Sequence, residues 1–210
     1  MMQPEKEPEK EKDLNERYLV PIIGGASSGK STFFNSLLKI ENLIDARDEV
    51  TTKFALIFMH NPKREVPTLF HLNVKEDGEN YLFEKDSNFK EITEFEEIKK
   101  TIKVENDKMR VEIEEKKANA DFSNSFFLLE LNISFIDNQD FLANYCFMDI
   151  PGLNEAQFSY ETSLFKFFKN RVKFGILIFD CMKYRGEGSL TPVEKFKKAC
   201  GVRMKNCLII

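Results

Sequence analysis

Gly24-Gly25-Ala26-Ser27-Ser28-Gly29-Lys30-Ser31 has the spacing G-x-x-x-x-G-K-S, the pattern of a loop that cradles phosphate. Its glycines allow a tight turn whose successive N–H groups converge on an anion. A helix starting at the end of such a loop adds unpaired N–H groups and the positive end of its dipole. Lys30 brings a point charge to the β- and γ-phosphates of a nucleotide, and the Ser31 hydroxyl is a ligand for Mg²⁺. The chemistry open to this set is binding of a nucleoside triphosphate and, with a placed water, its hydrolysis.

Two further groups fit the same chemistry. Asp149-Ile150-Pro151-Gly152 lies about 120 residues beyond the loop, after an apolar stretch over residues 144–148. A carboxylate at the C-terminal end of a strand can hold Mg²⁺ directly or through water. Gly152 lets the backbone approach a γ-phosphate, and an N–H there registers the phosphate's departure. Thr51 and Thr52 precede a β-branched and aromatic stretch over residues 52–59. A loop threonine there can place its hydroxyl on Mg²⁺ and its backbone on the γ-phosphate. The residue types do not choose between the two threonines, and both also suit a strand start.

The elements that must position these groups are legible in outline. Tyr18-Leu19-Val20-Pro21-Ile22-Ile23 is apolar and reads as the strand before the loop. Pro21 conflicts with a central strand, where a missing N–H is costly, so the strand is expected to start at Pro21 or Ile22. Ser31-Thr32-Phe33-Phe34-Asn35-Ser36-Leu37-Leu38 places apolar pairs one helical turn apart. Residues 68–74 and 81–83 flank Lys75-Glu76-Asp77-Gly78, whose Asp-Gly signals a hairpin. Thr93 and Glu96 have capping-box spacing, and Phe95, Ile98 and Ile102 follow a helical period. Residues 116–125 read as a loop. Leu129, Leu131, Ile133 and Phe135 alternate with Glu130, Asn132 and Ser134, the mark of a half-buried strand. That strand is expected to form an antiparallel hairpin, turning at residues 137–140, with the strand that ends at Asp149. Residues 161–171 read as a helix, 174–180 as a strand buried on both faces, 191 onward as a helix with Pro192 in its first turn, and 207–210 as a strand. The fold class expected is α/β: a three-layer sandwich of the P-loop NTPase (G-domain) type, its sheet mostly parallel with one antiparallel hairpin, incomplete at the C-terminus.

Bulk properties narrow the setting. The chain has 210 residues, 42% hydrophobic and 31% charged, enough for one globular domain with a sizeable core. The formal net charge is −4, which gives no electrostatic argument for a nucleic-acid partner. No apolar run approaches the roughly 18 residues needed to span a bilayer. The four cysteines and two histidines lack metal-site spacing, and reduced, cytoplasmic cysteines are expected. Residues 1–17 are rich in Glu, Lys and Pro and are expected to form a charged, disordered lead-in. The folded domain is expected over residues 18–210.

Together these motifs resemble the GTPase domain of the dynamin superfamily. The loop and first helix from Gly24 to Leu38 are similar to that family's phosphate loop, Val50-Thr51-Thr52-Lys53 resembles its first switch, and Asp149-Ile150-Pro151-Gly152-Leu153 resembles its D-x-P-G second switch. The resemblance implies GTP as substrate and Mg²⁺ as cofactor. It implies nucleotide contacts from Gly24, Gly25, Ala26, Ser27, Ser28, Gly29, Lys30, Ser31, Thr32, Asp149 and Gly152. It favours Thr51 over Thr52, giving catalytic roles to Ser27, Lys30 and Thr51 and metal ligation to Ser31, Thr51 and Asp149. It further implies a homodimer across the nucleotide site, membrane association through regions outside this sequence, and a role in membrane remodelling or trafficking. Two departures stand out. The family's guanine-reading [TN]-K-x-D motif is missing, as expected of a domain truncated after the strand at 207–210. Ala26 stands where conventional dynamins carry a Gln that positions the attacking water. These departures keep open a nucleotide-binding scaffold with little hydrolysis, and an ATPase.

Overall fold

The computed structural model describes residues 12–24, 28–40, 43–44, 52–116, 121–133, 142–151, 164, 166–168, 170–178 and 207–209. In chain order the strands are β1 (Tyr18–Ile23), β2 (Ala55–His60), β3 (Thr68–Asp77), β4 (Asn80–Lys85), β5 (Phe126–Leu131), β6 (Tyr145–Asp149), β7 (Gly175–Leu177) and β8 (Cys207–Ile209). Among the described residues two α-helices, α1 (Lys30–Leu38) and α2 (Phe95–Lys116), and two short 3₁₀ turns, Leu14–Glu16 and Lys166–Phe168, accompany them. All eight strands join one sheet in the order β4-β3-β5-β2-β6-β1-β7-β8. The pairs β1–β6, β1–β7, β2–β5 and β7–β8 are parallel. The pairs β2–β6, β3–β4 and β3–β5 are antiparallel.

The α/β fold class is as expected from the sequence, and β3 and β4 turn at Gly78 as the Asp-Gly signal requires. The pairing of β5 is different from the expectation. β5 does not form a hairpin with β6; β2 inserts between them, parallel to β5 and antiparallel to β6. The strand also starts earlier, at Phe126, and all six of its residues are buried. The apparent alternation of apolar and polar residues misleads because Glu130 is itself buried. Its carboxylate takes hydrogen bonds from Asn61 Nδ2 (3.1 Å), Arg64 Nε (2.8 Å) and Lys85 Nζ. Three donors brought from the β2–β3 connection and from β4 let a central strand carry a charge that isolated burial would forbid. The turn expected at residues 137–140 lies outside the described residues.

Pro21 lies within β1 rather than at its start. The neighbouring strand accommodates it. Leu19 donates its N–H to Arg171 O (3.0 Å), and Ile23 O accepts from Ile178 N–H (2.7 Å), so the Pro21 nitrogen faces the same side, between these two bonds. Leu19 bridges Val172 while Ile22 pairs with Ile176, which leaves one extra residue opposite Pro21. The ladder is bulged where the donor is missing.

Aromatic contacts show how the sheet is covered. Phe34 of α1 stacks on Phe58 at 4.6 Å between ring centroids. Phe127, on the same face as Phe58 by strand register, meets the Phe54 ring edge-on at 5.5 Å. Phe126 points the other way and packs against Phe167 and Phe168 of the 3₁₀ turn. That turn occupies part of the stretch expected as a helix over 161–171. α2 begins at Phe95, one residue later than a capping box at Thr93 would have it end-capped. The helix is capped by Glu94 instead, whose carboxylate accepts the Glu97 N–H at 3.0 Å, so the cap and the orphan donor it satisfies both lie one residue later than expected.

The expected lead-in divides in two. Residues 1–11 lie outside the described residues. The stretch 12–17 packs on the sheet: Leu14 is buried, and the Asn15 carboxamide pairs with both the N–H (2.9 Å) and the C=O (2.8 Å) of Phe83. This occupies outward backbone groups of β4, an edge strand that would otherwise present them to other chains. Arg17, also buried, donates to His60 O (3.0 Å) and Leu142 O (3.3 Å). Charge-rich composition concealed these three anchors. Among the described residues no helix is long and apolar enough to cross a membrane.

The Glu130 cluster makes a testable claim about acid stability. Burial works to raise this carboxyl's pKa, but the hydrogen bonds from Lys85 and Arg64 outweigh it and hold the value below the usual 4.5. A depressed folded pKa contributes stability above the unfolded value, lost as pH falls through the folded one. Glu130→Gln removes the charge while Lys85 and Arg64, both partly exposed, regain water. The expected cost near neutral pH is about 1–3 kcal/mol, with a shallower loss of stability on acidification. Thermal melts followed by circular dichroism between about pH 3 and pH 7 test this. Equal stability and an equal acid slope in both proteins would show that the cluster contributes nothing.

Candidate functional site

Strand register assembles the site. Parallel pairing places Asp149, the last residue of β6, beside Ile22 near the end of β1. Antiparallel pairing places the same Asp149 opposite Leu56 near the start of β2. The loop after β1, the carboxylate ending β6 and the segment entering β2 therefore meet at one edge of the sheet. Ligands of open α/β sheets bind outside the carboxyl ends of parallel strands in this way.

The loop itself is closely built at both ends. Gly24 has no room for a side chain: a Cβ there would come within 2.4 Å of Ser28 Oγ and 2.6 Å of Ile178 O. Gly29 takes the left-handed conformation at φ 94° and leads directly into α1, a turn that an L side chain resists by about 1–2 kcal/mol. Lys30 is the first residue of α1 and is buried. Its ammonium folds back over the loop and donates to Gly24 O at 3.3 Å. Ser31 follows it, half-buried, and Thr32 is exposed. Gly25, Ala26, Ser27, Thr51 and Gly152 lie outside the described residues.

Asp149 is fully buried. Burial pushes its carboxyl up to about 6, against the opposing pull of Lys30 and of the Thr52 hydroxyl. Thr52 Oγ1 donates to Asp149 Oδ2 at 2.7 Å. The other oxygen, Oδ1, has no hydrogen-bond partner among the described residues, and neither has the buried Ser28 Oγ. Buried polar atoms are nearly always satisfied. Two orphaned oxygens beside a loop cation fit a site completed by a ligand. The available donors are a carboxylate and hydroxyls, hard oxygen ligands of the kind Mg²⁺ takes together with phosphate oxygens and water. The residues present therefore fit Mg²⁺, with Asp149 and Ser31 as the protein groups that would hold it.

Of the sequence-expected residues, the structure brings together Gly24, Ser28, Gly29, Lys30, Ser31 and Asp149. It adds Thr52, which occupies the contact with Asp149. Two asparagines had not been singled out. Asn35 of α1 clasps Ile44, donating to its C=O (2.8 Å) and accepting its N–H (3.1 Å). Asn106 of α2 accepts the Lys53 N–H at 2.6 Å. Asn106 had a visible signal: it interrupts the apolar stripe formed by Ile98, Ile102, Met109 and Ile113. Asn35 had none beyond being a polar residue within a short helix.

Comparison with known proteins agrees with this geometry. The family model described as the dynamin family matches residues 20–183. No curated protein matches the chain. Among solved structures, one described as an oligomerised bacterial dynamin pair providing a mechanism for the long-range sensing and tethering of membranes aligns with a TM-score of 0.53 and 16% identity, over 93% of this chain and 26% of that one. A second structure of the same description aligns at 0.44 and 15% identity, over 93% of this chain and 30% of that one. The chain thus spans about a quarter of the length of the first structure, and at this identity the likeness is one of fold.

The Thr52–Asp149 bond yields a direct test. Thr52→Val keeps the side-chain shape and removes the only hydroxyl donor to Asp149 among the described residues. The buried carboxyl is then left without that partner, an expected loss of about 1–3 kcal/mol in urea unfolding of the nucleotide-free protein. An unfolding midpoint equal to that of the parent would mean the hydroxyl does not reach Asp149.

Proposed function

We propose, from the premise that this chain belongs to the dynamin family, that it binds GTP with Mg²⁺ and hydrolyses it to GDP and phosphate. The observation that carries the reading is the pairing of a loop cation, Lys30, with the two orphaned buried oxygens of Asp149 and Ser28. Lys30 would exchange the Gly24 carbonyl for phosphate oxygens, a stronger and charge-assisted partner. The N-terminal N–H groups of α1, which have no acceptor within the helix, would face the same phosphates. Asp149 and Ser31 would hold Mg²⁺, with Thr51 expected to join them from the first switch. Mg²⁺, when bound, neutralises charge on the β- and γ-phosphates and so favours displacement at the γ-phosphorus. Thr52 orients the Asp149 carboxylate by its hydrogen bond, and Gly152 would register the γ-phosphate through its N–H. Ser27, which resembles the family's loop serine, is the further residue to which a catalytic role is given.

Guanine rather than adenine is favoured by family membership alone. In the wider protein we propose that two such domains pair across their nucleotide sites in the service of membrane remodelling; the bacterial dynamin pair of similar fold, described as oligomerised and membrane-tethering, supports that reading. A second reading follows from Ala26, whose methyl group cannot orient a water. In it the domain binds GTP and turns it over more slowly than it exchanges it, acting as a nucleotide-gated scaffold.

Calorimetry with GTP and a non-hydrolysable analogue, with and without Mg²⁺, tests the site. Binding is expected to be weaker without Mg²⁺ and to be lost in Lys30→Ala. Unchanged affinity in that variant would remove the site assignment altogether. Single-turnover phosphate release then separates the two readings: release faster than nucleotide exchange supports the hydrolase, and slower release supports the scaffold. An excess of unlabelled ATP that displaces GTP would overturn the guanine preference.

A further inference from the structure

α2 reaches the nucleotide site through one residue. Its buried stripe is Ile98, Ile102, Asn106, Met109 and Ile113. An aliphatic side chain at position 106 would bury more apolar surface, and a carboxamide there is costly unless hydrogen-bonded. Asn106 is 5% exposed, and its oxygen spends its acceptor capacity outside the helix, on the Lys53 N–H at 2.6 Å. That N–H precedes β2, whose ladder begins at Ala55. The residue immediately before Lys53 is Thr52, which donates to Asp149.

Three elements thus form a short chain of contacts: α2 holds the Lys53 amide, the Lys53 amide fixes the peptide that follows Thr52, and Thr52 holds Asp149. The other end of the same connection is fixed in a similar manner, by the Asn35 carboxamide on both backbone groups of Ile44. Each clamp uses a side-chain amide on a helix to hold backbone that is not part of the sheet. The fixed points bracket the first-switch segment at residues 44 and 53.

We propose that Asn106 is a positioning residue of the nucleotide site: by holding the Lys53 amide it sets Thr52 over Asp149 and so tunes how readily Asp149 takes up Mg²⁺ with nucleotide. The inference rests on the nucleotide-binding reading above. It assigns α2, which carries none of the phosphate-loop or switch motifs, a part in metal affinity. A purely structural Asn106 would affect folding and nothing specific to the metal.

Three forms of the full chain test this: the parent, Asn106→Leu, which keeps the volume and removes the acceptor, and Asn106→Asp, which keeps an acceptor oxygen. Hydrogen exchange of peptides covering residues 50–54, without nucleotide, reads the clamp. The Lys53 amide is expected to be protected in the parent and in Asn106→Asp and to exchange faster in Asn106→Leu. The Mg²⁺ concentration that half-saturates binding of a fluorescent GTP analogue reads its consequence. Loss of one buried hydrogen bond is expected to raise that concentration about ten-fold in Asn106→Leu, with the weaker binding seen in excess chelator unchanged and with Asn106→Asp returning to within about two-fold of the parent.

The proposal is overturned if the Mg²⁺ requirement of Asn106→Leu equals the parent's. It is equally overturned if binding weakens alike with and without Mg²⁺, or if Asn106→Asp fails to restore the requirement while protecting the amide. Failure of the underlying reading looks different. In that case the parent itself binds no nucleotide or Lys30→Ala binds as well as the parent, and the positioning role falls with it while the exchange data still report the clamp.

Discussion

The site depends on a carboxylate that is buried before anything arrives to neutralise it. Asp149 closes β6 at full burial, and its one hydrogen bond among the described side chains comes from Thr52. Burial raises its pKa to about 6, and the Lys30 ammonium and the Thr52 hydroxyl limit that rise without cancelling it. Such a position is a net cost to folding. It persists because the surrounding strands leave Asp149 nowhere else to go: it is in register with Ile22 on one side and Leu56 on the other. The rest of the core, including the stack of Phe34 on Phe58, offsets the cost. Strain of this kind is over-determined by its surroundings and collects where function needs it.

The two ends of the central strands carry different polar groups. At the site, Asp149 Oδ1 and Ser28 Oγ are left over. At the far edge, where β1 starts and β2 ends, Arg17 bonds to the carbonyls of His60, Leu142 and Lys12. Further out, Glu130 collects donors from three side chains. Cys146, beside these groups in β6, has its thiol pushed up to about 12 by burial and is chemically quiet. Arg17 and Glu130 find partners within the chain, while the buried Arg171 Nε and Nη1 at the same end have no hydrogen-bond partner among the described residues. What sets the β1, β6 and β2 junction apart is that its unsatisfied atoms are hard oxygens close to the Lys30 ammonium.

What could be read from the sequence follows the range of the physics involved. The first helix, the left-handed turn at Gly29 that leads into it and the Asp-Gly hairpin are set by neighbours in the chain, and each was legible. Glu130 was not, because its burial is made possible by Lys85 and Arg64, residues distant in sequence that only the sheet brings close. The position of β2 between β5 and β6 escaped for the same reason: alternation suggested a strand with one wet face, and a central strand with a paired charge produces the same pattern. Pro21 looked disqualifying for a central strand because its missing donor was visible and the bulge opposite it was not. The anchors at Leu14, Asn15 and Arg17 were hidden in a charged stretch whose average composition says nothing about three individual side chains.

The two threonines show how far residue type and motif can go. Adjacent and chemically alike, Thr51 and Thr52 could not be told apart by residue type. Thr52 is the one that donates to Asp149, and Thr51 lies outside the described residues. The motif-based assignment of Thr51 to the metal and the observed bond from Thr52 are compatible if the two do separate tasks. Thr52 serves the carboxylate from within the protein, and Thr51 is the threonine proposed for the ligand. A single threonine has one hydroxyl proton to donate. Dividing the work lets Asp149 stay oriented whether or not a nucleotide is bound.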